Sequence, residues 1–287
     1  MKPHDALREY IKNSEMRVIV DGVFYARMSK SIAKKFDSGT YDYMLCEHKK
    51  CIRELKKLNI KYSANAKPKF YVYIVPDENF AELLRYPYKN CNGGGRPVPS
   101  YDFDSFNSAY GTSQNRMIAS GKIGINSHIN LVHEYAHLIH NQFGFYAQMF
   151  GEGFAELIPW YALEYEKLVP EHFASMQSME KIYTANELLE SVAFSDTVSG
   201  KTCSFQPSYM SSYLWSRAVV EHIRKKYKLS RIESVQKFLE FYNLTTYGKQ
   251  WFIMELADLT GMNAEKLLYS TEYQQEILKQ IAKEIKK

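Results

Sequence analysis

The 287-residue chain has no long apolar run, few cysteines and no dense basic stripe, and each absence removes a class of function. No stretch approaches the roughly 20 apolar residues that a helix needs to cross a bilayer, so no membrane span is expected. Met1 to Met16 is polar and charged with no apolar core segment, so no signal peptide is expected. The default is then a cytoplasmic protein, with secretion after loss of a leader as the alternative. The four cysteines, Cys46, Cys51, Cys91 and Cys203, have the spacing of no zinc knuckle or ribbon. Cys46 and Cys51 fall on one predicted helix at a separation that suits a disulfide poorly, so buried or half-buried thiols are expected. A Cys91–Cys203 bridge in an oxidising compartment is the alternative. The net charge of +5 is dispersed in short clusters such as Lys49-Lys50, Lys56-Lys57 and Arg224-Lys225-Lys226. These fit solvated helix faces, and no nucleic-acid partner is expected. The glycine run Gly93-Gly94-Gly95 is not followed by a helix opening on Lys and Ser or Thr, so 88–115 reads as a surface loop and not a phosphate loop. There is no internal repeat.

What is present is ample core material, with 45% apolar residues and 23 tyrosines. Segments 16–25, 69–75 and 116–126 have the alternation and β-branching of strands. A hairpin is expected about Asp21-Gly22. Segment 41–58 places Tyr41, Leu45, Ile52, Leu55 and Leu58 near one helical face with lysines opposite. A short helix is expected at 78–85 and another at 129–141. Thereafter helices are expected at 151–167, 171–190, 209–227, 230–242, 249–258 and 263–286. The stretch 272–287 is basic and amphipathic, and its narrow stripe of Tyr273, Ile277, Ile281 and Ile285 is expected to dock on its own domain. The expected class is α+β: an N-terminal α/β lobe over 1–145, then a mainly helical lobe over 146–287. No pattern fixes an oligomeric state.

One segment carries chemistry. Residues 129–140 read INLVHEYAHLIH, and His133-Glu134-Tyr135-Ala136-His137 fits H-E-x-x-H. Four residues are a little over one helical turn, so His133 and His137 share a face and can reach one Zn²⁺. Glu134 is turned about 100° from His133 and can reach a zinc-bound water without being a ligand. Leu131, Val132, Ala136, Leu138 and Ile139 make the helix strongly apolar. Burying two histidines and a glutamate there is costly unless a metal compensates them. A catalytic zinc needs a third protein ligand, and Gly151-Glu152-Gly153-Phe154-Ala155-Glu156 offers Glu152. Glu156, four residues on, shares its face and is placed to hydrogen-bond a ligand histidine. Gly151 and Gly153 are expected to allow close approach of helix and metal. His128 and His140 are expected at the surface or as caps, and His222 in packing or at the surface.

With these residues on view, HEYAH followed by GEGFAE resembles the gluzincin metallopeptidases, in particular the peptidase-MA-like group and bacterial collagenase catalytic domains. The likeness spans roughly residues 15–245 and is strong at 129–157. It implies a thermolysin-like two-lobed architecture, Zn²⁺ as cofactor, Glu152 as third ligand and Glu156 in support. It also implies a transition-state donor from the helical lobe, with Tyr213 at the best-fitting position and Tyr209 as alternative. Phe150-Gly151 departs from the family, whose members often carry a tryptophan and an acidic residue there.

The expected function is a zinc-dependent endopeptidase acting on a protein or peptide, in which Glu134 activates the zinc-bound water. The substrate would lie along a glycine-containing edge strand near 117–125. An aminopeptidase or narrow processing peptidase is the second reading. A non-catalytic, zinc-bound binding module is the third.

Overall fold

The computed structural model describes residues 14–18, 24–29, 38–61, 70–75, 95–97, 116–120, 125–140, 143, 148–168, 183–184, 187, 205–244 and 249–285. The chain divides into two compact units, Met1–Gln142 and Phe143–Lys287.

In the first unit the backbone traces five short strands: β1 (Ser14–Val18), β2 (Phe24–Ser29), β3 (Phe70–Val75), β4 (Gly95–Pro97) and β5 (Arg116–Ser120). Their order is β1-β2-β3-β5-β4. β1 runs antiparallel to β2, with Val18 opposite Tyr25. β3 lies parallel to β2 and to β5. β4 pairs with Met117–Ala119, so the strand expected at the sheet edge has a neighbour on each side there. The substrate path expected along that edge is not retained. The same unit holds helices α1 (Ser38–Lys57) and α2 (Ile125–His140). α1 buries Cys51, Ile52 and Leu55 and exposes Lys49, Lys50, Lys56 and Lys57, as the helical pattern requires. Asn59, at φ 46°, ends the helical path in the left-handed region.

The second unit contains α3 (Gln148–Leu157), α4 (Phe205–Tyr227), α5 (Arg231–Leu244), α6 (Lys249–Thr260), α7 (Ala264–Tyr269) and α8 (Thr271–Ile285). The expected helix 151–167 is broken. Pro159 has no N–H to give, and the chain widens into a π-turn at Ile158–Ala162, closed by Leu163 N–H to the Ile158 carbonyl at 2.9 Å. Glu164 then turns at φ 59° into a short 3₁₀ turn, Tyr165–Lys167. The expected helix 263–286 is likewise two helices. Ser270 is extended, and its Oγ accepts from Tyr273 N at 3.2 Å, capping α8. α8 docks on its own unit: Ile277 is buried and the Tyr273 hydroxyl lies 3.4 Å from His222 Nε2 on α4. His222 in turn donates from Nδ1 to the Ala218 carbonyl at 2.7 Å. α3 meets α4 backbone to backbone. A Cβ on Gly153 would strike Ser216 Oγ and the Ser212 carbonyl. Gly153 therefore serves helix contact, and not the approach to a metal expected for it.

Of the residues whose side-chain surroundings are described, 84% are helical and none lies in a strand. The expected α+β class, with an N-terminal α/β lobe, is thereby corrected: the described protein is mostly helical. Most of its buried apolar side chains, among them Leu131, Val132, Phe154, Leu157, Leu214, Val219, Phe238 and Leu239, belong to helices, with Leu58, Phe143, Tyr183 and Met262 outside them. Each such side chain contributes about 1.5–3 kcal/mol on burial. The strands are only three to six residues long. The expected helix 78–85, Cys91, Cys203 and most of 88–115 and 171–190 lie outside the described residues.

Among the described residues, no helix is long and apolar enough to cross a membrane.

Candidate metal centre

α2 is a helix enclosed almost all round. Leu131, Val132, Tyr135, Ala136, Leu138 and Ile139 are at most 5% exposed, which sets its depth in the protein. His133 and His137 are each 7% exposed and stand one turn apart. Their Nε2 atoms are 3.1 Å apart, with the rings edge to face at 85°. Two ligands of a tetrahedral ion with bonds of about 2.0–2.1 Å are separated by roughly 3.3 Å, so this spacing fits one shared cation. A single N–H···N hydrogen bond is the other arrangement that holds two imidazoles so.

Glu152 separates these possibilities chemically. His133, His137 and Glu152 each offer a ligand atom, and the three atoms lie within 4.8 Å of one another. A shared proton needs no carboxylate, whereas a divalent cation is matched by one. The described residues contain this one group of three or more such donors that can hold a metal ion. Glu134, next to His133, is half-buried, as is Glu152.

Glu156 is also half-buried, and its Oε2 accepts from Trp160 Nε1 at 2.6 Å. This bond ties the last turn of α3 to the π-turn, so Glu156 helps fix the helix that carries Glu152.

Tyr213 occupies a different setting. It is fully buried in the second unit, where its hydroxyl donates to Glu166 Oε2 at 3.4 Å and accepts from Arg217 Nη1 at 3.1 Å. Burial pushes its pKa up, the Arg217 charge opposes this, and Glu166 reinforces it. Its hydroxyl is thus engaged by Glu166 and Arg217, where a transition-state role was expected. The other candidate, Tyr209, lies on α4, and its side chain is outside the described residues.

Residues the sequence reading placed at the surface are inside. His128 is 6% exposed and His140 is 2% exposed. His128 Nδ1 is 2.8 Å from Glu47 Oε2, and its Nε2 is 3.0 Å from Glu54 Oε2. Cys51 Sγ lies 3.4 Å from the same Nδ1. Burial and the charges of Glu54 and Glu47 push the Cys51 thiol pKa up, so it is an unreactive buried thiol. Cys46, expected buried or half-buried, is exposed; both thiols are free. His48, which the sequence reading did not single out, is fully buried and sits 2.8 Å from the Tyr135 hydroxyl. The signal was available: Glu47, Cys51 and Glu54 recur at helical spacing, and His128 and Tyr135 are two turns apart on one face.

No protein-family model matches the chain, and no curated protein or solved structure matches it.

Proposed function

We propose that the chain is a zinc-dependent peptidase of gluzincin type, cleaving peptide bonds internally in a protein or peptide. The supporting observation is the convergence of His133, His137 and Glu152 on one volume, with Glu134 adjacent on the helix. Two imidazoles and a carboxylate are the donor set of a catalytic zinc, which keeps a fourth position open. Zinc held there supplies Lewis acidity, polarising a carbonyl and acidifying water.

The chain's own residues do the rest. His133 and His137 would hold the ion through their Nε2 atoms, and Glu152 would contribute negative charge that offsets the cation's. Glu134 takes a proton from the attacking water at its carboxylate and returns it to the departing amine. The half-buried setting of Glu134 limits competition from bulk water for that proton. The burial of α2 holds both histidines in place, so little reorganisation accompanies reaction.

Glu134→Gln keeps the shape and removes the proton acceptor. Cleavage of casein by this variant is expected to fall by about 10²–10⁴-fold, with zinc content and melting temperature retained. Wild-type turnover in the folded variant overturns the mechanism.

A further inference from the structure

The reverse side of α2 is held by polar bonds rather than by apolar packing alone. Tyr135 lies two residues from each histidine of the group, about 200° round the helix from both. His128 is seven residues before Tyr135 and falls on the same reverse face. Both meet α1. The Tyr135 hydroxyl is 2.8 Å from His48 Nδ1, and the two rings are edge to face with centroids 5.9 Å apart. Two turns away, the His128 ring lies between Glu47 and Glu54, with a carboxylate oxygen within hydrogen-bond reach of each nitrogen. His48, Tyr135 and His128 are at most 6% exposed.

We propose that His48 and His128 are positioning residues, forming a two-point clamp through which α1 sets the axial rotation of α2 and so the aim of His133 and His137 at a metal ion. The proposal rests on the zinc reading above. Apolar contact along a seam tolerates a small rotation at low cost, because dispersion varies slowly with angle. Hydrogen bonds are directional and weaken steeply when bent, and two of them two turns apart fix rotation and register together. A metal site needs this restraint, since ligands must be held within about 0.5 Å and 10–20° of productive geometry. Remote supporting partners of metal ligands commonly change metal affinity when removed.

The test is zinc affinity of the full chain, measured with zinc alone against a competing chromophoric chelator, beside the melting temperature of the apo protein. Tyr135→Phe deletes one hydroxyl and His48→Phe deletes its partner. Each is expected to weaken zinc binding about tenfold, and the double variant to be no weaker than either single one, because the two share a bond. Leu239→Ala, in the core of the second unit, is expected to lower the apo melting temperature and leave zinc affinity unchanged. Wild-type zinc affinity in folded Tyr135→Phe and His48→Phe overturns the clamp alone. So does an equal loss of affinity in Leu239→Ala, which would make the effect one of general stability. A wild type that takes up no zinc removes the zinc reading, and the clamp falls with it.

Discussion

Among the described residues, five histidines are buried in the first unit, His48, His128, His133, His137 and His140, whereas the buried charges of the second unit gather round Arg217 and Glu166. Glu166 receives Arg217 through both carboxylate oxygens and Arg231 Nη1 at 2.9 Å. Both guanidinium groups also lie over the Tyr161 ring, at 4.1 and 4.7 Å from its centroid. Burial acts to lower the Arg217 pKa, but Tyr213 and Glu166 outweigh it and the net shift is upward. An arginine so placed stays charged at every accessible pH and binds no metal. Imidazole is the opposite: it changes charge near neutrality and has a lone pair to donate. The second unit thus pairs its buried arginines with a carboxylate of its own. His133 and His137 of the first unit are imidazole donors, and with Glu152 they make up the proposed cation site.

Acid should expose this difference most strongly. Burial, with the nearby charge of His128, lowers the His48 pKa from 6.5 to about 3. The native ring then stays neutral while the unfolded ring takes up a proton. That contribution to stability is fully present above pH 6.5 and is lost as pH falls from there toward about 3. At about 1.4 kcal/mol per pH unit, the loss reaches up to about 5 kcal/mol. Urea unfolding of apo wild type beside His48→Gln should show the variant with the shallower acid limb between roughly pH 6 and 4. Parallel limbs would remove His48 as the source.

The arginine cluster should respond without regard to metal. Arg217→Ala leaves the Glu166 carboxylate, which is 1% exposed, with Arg231 as its one guanidinium partner among the described residues, and is expected to cost about 3–5 kcal/mol in urea unfolding. The cost should be the same with zinc or with chelator. A loss confined to the metal-loaded protein would contradict the separation of the two chemistries.

A smaller effect tests the helix contact beside Glu152. Gly153→Ala forces a methyl into the Ser212 backbone, and about 1–3 kcal/mol of destabilisation is expected as a lowered melting temperature. An unchanged melting temperature would show that α3 shifts freely on α4.

The metal group was legible because helical spacing is a hard geometric constraint. Once His133 and His137 are four apart in an apolar helix, their sharing of a face follows, and Glu152 is the first carboxylate after that helix. The class of the fold was not legible. A run such as Phe70–Val75 has strand chemistry, but a local pattern does not say how much of the packed interior lies in strands. Pro159 was visible as a helix breaker and was nonetheless read through, because the apolar residues on both sides keep helical phase. The burial of His128 was hidden for another reason. Its partners Glu47 and Glu54 come from 74 or more residues away, so the two helical faces are each visible in the sequence but their pairing is not. The partners of Tyr213 were not legible, because a tyrosine at a given helix position looks the same whether its hydroxyl faces a cleft or a buried arginine.

The most direct test of the central claim is the zinc content of the purified full chain, wild type beside Glu152→Ala, after reloading and gel filtration. The account predicts about one zinc per wild-type chain and much less in the folded variant. A folded wild type that retains no zinc, or a Glu152→Ala protein that retains as much as wild type, would contradict it.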